Sequence, residues 1–224
     1  MKKPSEFPVE RHPFEPFLPE NAKVLFLGSF PPQSKRWSMD FYYPNWINDF
    51  WRICGLLFFG DRAYFEVPGE KRFDKERIVS FCNEKGFAMY DTATEIRRLM
   101  DNASDKFLEV VTPTDIPSLL EKIPHCRAIV TTGQKATETL CANFGCPEPP
   151  MGGCVTIPLP ESAASLFPVS SVRPPETPQD GCPIVREGRS LDFWRLPSTS
   201  RAYPLAIEKK AAAYRTLFLD LDLL

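Results

Sequence analysis

The sequence predicts an α/β fold in which a parallel sheet is covered by helices on both faces. Three observations predict it. Short apolar runs end in Gly, Asp or Thr at Val24–Leu27, Phe87–Tyr90 and Ala128–Val130, and a fourth apolar stretch lies at Phe193–Leu196. Segments with apolar residues at helical spacing separate them. The first run is also continuously apolar, as a strand buried on both faces must be.

The elements follow in order. Residues 1–22 carry Pro4, Pro8, Pro13, Pro16 and Pro19, which predicts an extended proline-rich arm lying on the domain. Lys23–Gly28 is the first strand. Asn45 to Phe59 places Ile47, Phe50, Trp51, Cys54, Leu57 and Phe58 at helical spacing. Asp74 to Asn83 is a second helix, ended by Lys85-Gly86, and Phe87–Asp91 a short second strand. Thr114-Asp115 opens a helix with Leu119, Leu120 and Ile123, stopped by Pro124. Arg127–Thr132 is the third strand, turned by Gly133 into a helix that Gly145 stops. From 147 to 183 ten prolines break all periodicity except Val155-Thr156-Ile157, so this stretch reads as a long ordered excursion. Asp192–Leu196 is the fourth strand, and Pro204 opens a last helix with Ile207, Ala211, Tyr214, Leu217 and Phe218 on one face. No internal repeat interrupts 23–224, which reads as a single α/β domain.

Composition narrows the function. With 27 Lys+Arg against 29 Asp+Glu the net charge is −2, so nucleic-acid contact needs a local patch. Apolar residues at 43% and charged residues at 25% argue against wholesale disorder. Proline, 24 of 224 residues, is about twice its usual share and signals long irregular connections. No secretory h-region and no membrane-length apolar run is visible, so the expected location is the cytoplasm. Seven cysteines without a C-x-x-C pair then read as reduced thiols, and with only His12 and His125 neither a metal site nor a cofactor is expected. The Walker and G-x-G-x-x-G phosphate loops are both missing, as is a G-x-S-x-G nucleophile elbow.

In open α/β sheets, ligands bind at the carboxyl ends of the strands. That rule selects three loops: Gly28-Ser29-Phe30-Pro31-Pro32, Thr132-Gly133-Gln134-Lys135, and Leu196 to Tyr203. The last is hydroxyl-rich and precedes a helix, so it can hold a phosphate or simply cap the helix. The first runs on into Lys35-Arg36 and then Phe41-Tyr42-Tyr43, where cations suit phosphates and an aromatic ring suits a base. Taken singly, Lys35 and Arg36 are ordinary solvated surface, and Phe50 and Trp51 are core. Asn48 is different: an amide beside apolar helix positions needs a partner, either backbone or ligand.

Three motifs in register resemble the uracil-DNA glycosylase superfamily, especially its mismatch-specific and hypoxanthine-glycosylase-like branches. They are Gly28-Ser29-Phe30-Pro31 after a strand, Tyr43 with Asn48-Asp49-Phe50-Trp51, and Leu196-Pro197-Ser198-Thr199-Ser200-Arg201-Ala202-Tyr203 before the last helix. The similarity covers roughly 22–145 and 190–220. It implies a three-layer α/β/α fold with a central four-stranded parallel sheet, and removal of a modified base from DNA; a monomer acting on a deaminated base is the expectation. It links Asn48 to catalysis, and the chemistry of base departure adds the Ser29 and Phe30 backbone N–H groups as donors. Tyr43 would stack on the flipped base in a pocket shared with Gly28, Pro31 and Ser198. Ser198, Thr199 and Ser200 would grip phosphate together with Lys35 and Arg36, while Arg201, Ala202 and Tyr203 fill the hole left in the duplex.

One departure stands out: the mismatch-specific branch has a catalytic Asn where this chain has Phe30, and the first loop lacks the water-activating Asp of the most active uracil branch. A catalytically silent DNA- or nucleotide-binding module is therefore the competing expectation, and a nucleoside hydrolase using the same crevice a weaker one. An amide is too weak a base to take a proton, so Asn48 would position water or donate to the base.

Overall fold

The computed structural model describes residues 6–100, 105–159 and 190–224. Its main sheet is built from β2 (Val24–Gly28), β3 (Phe87–Asp91), β6 (Ala128–Thr132), β7 (Cys154–Pro158) and β8 (Ser190–Leu196), in the order β3-β2-β6-β8-β7. The first four positions of that order pair in parallel, and β7 closes the edge antiparallel to β8. The expected four-stranded parallel sheet is thus corrected to a five-stranded mixed one. The fifth strand lies within the proline-rich excursion, whose Val155-Thr156-Ile157 faces Phe193, Asp192 and Leu191. An antiparallel edge strand has one buried face, so β7 alternates instead of running apolar, and only Ile157 is buried. The rest of the excursion from 160 to 183, with Cys182, lies outside the described residues.

Both faces of the sheet are covered. Along β2, Phe26 meets Phe50 of α1 (Phe50–Phe59) and Phe218 of α5 (Ile207–Asp220), edge to face. Leu25 and Leu27 point the other way and are fully buried as well. Three further helices complete the set among the described residues: α2 (Lys75–Lys85), α3 (Ile116–Lys122) and α4 (Gln134–Phe144). Local chemistry starts α2 where expected, since Asp74 accepts the Arg77 N–H at 3.1 Å and the chain leaves through left-handed Gly86. Helix α1, by contrast, begins five residues later than its apolar spacing suggested. Ile47 is 48% exposed and does not belong to the buried face.

A second sheet was not expected at all. It joins β1 (Val9–Arg11), β4 (Ala93–Arg98) and β5 (Leu108–Pro113) in the order β1-β4-β5, antiparallel throughout. The arm therefore contributes a strand here, and Phe17 pairs with Met89 on the outer edge of the main sheet. This small sheet mounts the first loop. Phe30 packs with Ala93, Ile96 and Leu108, while buried Arg98 binds Glu10 through two nitrogens and donates to the Pro31 carbonyl at 3.1 Å.

Candidate active site

A cleft of about 880 Å³ opens at the carboxyl ends of β2, β3, β6 and β8. The loops after β2, β6 and β8 all line it, as does the aromatic stretch before α1. Segments 150 residues apart meet directly: Asn48 forms an antiparallel bridge with Ser200, and the Asp49 N–H donates to the Thr199 carbonyl at 2.9 Å.

Of the predicted base-binding and catalytic residues, Gly28, Ser29, Phe30, Pro31, Tyr43, Asn48 and Ser198 all line this cleft. Tyr43 stacks on Phe50 with centroids 3.9 Å apart and planes 7° from parallel. Its hydroxyl is 2.9 Å from the Thr132 hydroxyl, and burial raises its pKa, so it stays a neutral phenol. The residue holds this pose at φ +52°, a left-handed backbone rare for an aromatic residue. Phe50 takes one ring face, and the half-buried Tyr43 lines the cleft with the rest.

Asn48 immediately precedes Asp49, the N-cap of α1. The Asn48 Oδ1 accepts the Phe50 N–H at 2.9 Å. Because that atom must accept, the amide orientation is fixed by the backbone, and Nδ2 is left as a donor with no acceptor among the described residues. The Ser29 and Phe30 N–H groups likewise have no backbone acceptor among them. The Phe30 side chain, however, belongs to the small core, so only its main chain can serve the site. The Ser29 hydroxyl is hydrogen-bonded to Asp105, a carboxylate on the cleft wall. Loss of hydration raises the Asp105 pKa, and the charge of Asp91 raises it further; the Ser29 bond opposes both.

The predicted phosphate and wedge residues divide. Arg36, Thr199, Ser200, Ala202 and Tyr203 line the cleft; Lys35 and Arg201 do not. Ser198 Oγ accepts the Ser200 N–H at 3.3 Å, and Ser200 Oγ accepts the Ala202 N–H at 3.2 Å. These hydroxyls shape consecutive turns, and Thr199 is buried. Arg201 pairs instead with Asp49, Nε lying 3.2 Å from Oδ1, while its side chain stays 43% exposed. Lys210, fully buried on α5, holds the other carboxylate oxygen at 3.2 Å and donates to the Ser200 carbonyl at 2.9 Å. Asp49 is thus the clamp between the aromatic stretch and the late loop.

With the geometry in view, the chain can be set beside known proteins. A solution NMR structure from Methanosarcina acetivorans, a provisionally named uracil DNA glycosylase, superposes with a TM-score of 0.56. The two chains share a fold. The match spans 96% of this chain and 99% of that one at 20% identity, so it speaks to architecture alone. No protein-family model matches the chain, and no curated protein does.

Against this glycosylase-like fold, sequence reasoning missed Asp49, Lys210, Asp105 and Asp91. Asp91 was within reach of it. The residue ends β3 at the same carboxyl edge as Gly28, where ligands of open α/β sheets bind. The contacts of Asp49 depend on partners more than 150 residues away and leave no local trace. Among the described residues, no helix is long and apolar enough to cross a membrane.

Proposed function

We propose that the protein is a monofunctional DNA glycosylase, which hydrolyses the N-glycosidic bond of a deaminated or mismatched base, uracil or hypoxanthine, turned out of DNA for base excision repair. The observation that carries this reading is the meeting of three distant loops in one cleft, locked by the Asp49 clamp. The shared fold with a provisionally named uracil DNA glycosylase supports it, and Asn48 in its N-x-F-W setting favours the hypoxanthine-like branch.

The chemistry suits the residues. Departure of the base builds negative charge on its oxygens, and fixed N–H donors placed before the reaction stabilise that charge. Asn48 Nδ2 and the Ser29 and Phe30 N–H groups are such donors. Each is typically worth about 3 to 4 kcal/mol at the transition state. The Tyr43 ring offers a platform for the extruded base, whose unstacking costs a few kcal/mol and least at a mismatch. Arg36, Lys135 and the Ser198–Tyr203 turns contact the DNA backbone, and Tyr203 enters the space the base vacates.

The test is an end-labelled duplex carrying uracil or hypoxanthine, incubated with the protein and then with alkali. Alkali-labile sites at the lesion are expected on at least one base. Their absence from both lesions, in single and double strands, would remove the reading. Strand breaks formed without alkali would instead indicate an amine nucleophile, for which Lys135 is the cleft residue.

A second reading, a DNA- or nucleotide-binding member without turnover, is favoured by Phe30, whose side chain fills the small core where another branch carries a catalytic amide. Tight binding to abasic DNA with no release of base from any lesion distinguishes it.

A further inference from the structure

The buried pair of His12 and Asp91 presents its carboxylate residue to the cleft. Asp91 closes β3 directly opposite Gly28 in the sheet register and lines the cleft. Its Oδ2 lies 2.8 Å from His12 Nε2, and the His12 and Asp91 side chains are 3% and 10% exposed. Its Oδ1 has no hydrogen-bond donor among the described residues and lies over Gly28, where a Cβ would stand only 2.3 Å from it. Glycine at position 28 therefore reserves the space this oxygen occupies. A carboxylate oxygen removed from bulk water needs a donor, and a water in the cleft is one that reaches it.

His12 comes from the arm, immediately after β1 ends at Arg11. Its ring sits between Tyr90 and Phe30, with centroids 4.6 and 5.3 Å away. Nδ1 is 2.8 Å from the Phe14 carbonyl and 3.1 Å from the Phe14 N–H. The ring is thus anchored in either proton state. The neutral form accepts the Phe14 N–H, the charged form donates to the Phe14 carbonyl, and both keep Nε2–H on Asp91.

We infer that Asp91 accepts the proton of the attacking water during base release, and that His12 is the positioning residue that aims its carboxylate. The inference rests on the glycosylase reading of the cleft and supplies what the first loop lacks. In the step, the C1′–N bond breaks and its electron pair leaves with the base. A water oxygen bonds to C1′ and gives one proton to Asp91 Oδ1. The base anion takes up a proton, Asp91 returns its own to solvent, and the products are a free base and an abasic sugar. Asn48 turns its Oδ1 to the Phe50 N–H, and an amide oxygen is far too weak a base to take that proton.

The experiment measures single-turnover base release from uracil and hypoxanthine duplexes beside affinity for a duplex with a stable abasic analogue. Asp91→Asn keeps the shape and the His12 bond. It is expected to slow release by about 10²- to 10⁴-fold, the usual worth of general-base catalysis, with affinity unchanged. His12→Gln, which can still donate, is expected to retain most of the rate; His12→Phe is expected to lose it, again with affinity intact. Asp91→Asn at the wild-type rate overturns the inference and leaves the glycosylase reading standing. Should Asp91→Asn lose its cooperative melt, equal rates for the two His12 variants overturn it instead. Wild-type protein that releases no base from any lesion overturns the glycosylase reading itself, and this inference with it.

Discussion

Lys210 Nζ lies 3.2 Å from Asp49 Oδ2, with both side chains almost wholly buried and joined across 161 positions of sequence. Buried ion pairs contribute little net stability compared with an apolar replacement, but breaking one strands the remaining charge. Lys210→Met is therefore expected to cost about 3–5 kcal/mol, toward the lower end because Arg201 still faces Asp49. Urea denaturation monitored by tryptophan fluorescence checks it. The double variant Asp49→Asn with Lys210→Met is expected to recover part of that loss.

Asn48 performs two tasks through two atoms, and substitutions separate them. Asn48→Asp keeps an oxygen for the Phe50 N–H and is expected to melt like the wild type, while losing about 10²- to 10³-fold in base release as the donor disappears. Asn48→Ala is expected to lose the same activity and, in addition, about 1 kcal/mol of stability with the bond to the Phe50 N–H. Paired melting curves and single-turnover rates read both effects.

Tyr43 divides in the same manner. Tyr43→Phe removes only the bond to Thr132 and is expected to cost about 1 kcal/mol in stability with lesion binding retained. Tyr43→Ala removes the platform and is expected to weaken binding of lesion DNA by about 1–3 kcal/mol, the usual worth of one stacked base. Fluorescence anisotropy on lesion and undamaged duplexes makes the comparison.

The cations of the site are not equivalent. Both Arg36 and Arg201 are exposed, but Arg36 lines the cleft whereas Arg201 lies outside it and is paired with Asp49. Arg36→Ala is expected to lower the slope of log affinity against log salt by about 0.9, the share of one phosphate contact. Arg201→Ala is expected to leave that slope nearly unchanged and to show its effect in thermal stability.

Asp105 predicts a pH effect of definite sign. Its folded pKa is raised, so the folded state holds a proton that the unfolded state has already released, and stability falls as pH rises from the ordinary Asp value of 3.8 through the raised one. Asp105→Asn carries no such charge. It is expected to melt above the wild type near neutrality, with the difference vanishing in acid below 3.8. Melting curves taken from pH 3 to pH 7 settle the sign.

The parallel strands were legible because burial on both faces writes a continuous apolar run, as in Val24–Leu27. Strand β4 is not legible because two register shifts, around Glu95, break the two-residue alternation that marks a strand. The three cleft loops were legible from one topological rule about strand ends. The commitment of Arg201 was not, since a lone Arg in a hydroxyl-rich turn looks the same whether it reaches outward or is held by an acid 152 residues earlier. Asn48 stood out as a polar residue in apolar company, but only the backbone geometry shows which end of its amide is free.

The bridge from Asn48 to Ser200 also has a consequence in time. A ribosome adding about 5 to 20 residues per second needs about 8 to 30 seconds to travel between those positions. Throughout that interval a growing chain carries the Tyr43 and Asn48 half of the cleft without the Ser198–Tyr203 wall. A complete cleft would therefore arrive in a single late event, and a translation product that stops short of residue 200 would lack the wall that the proposed reaction needs.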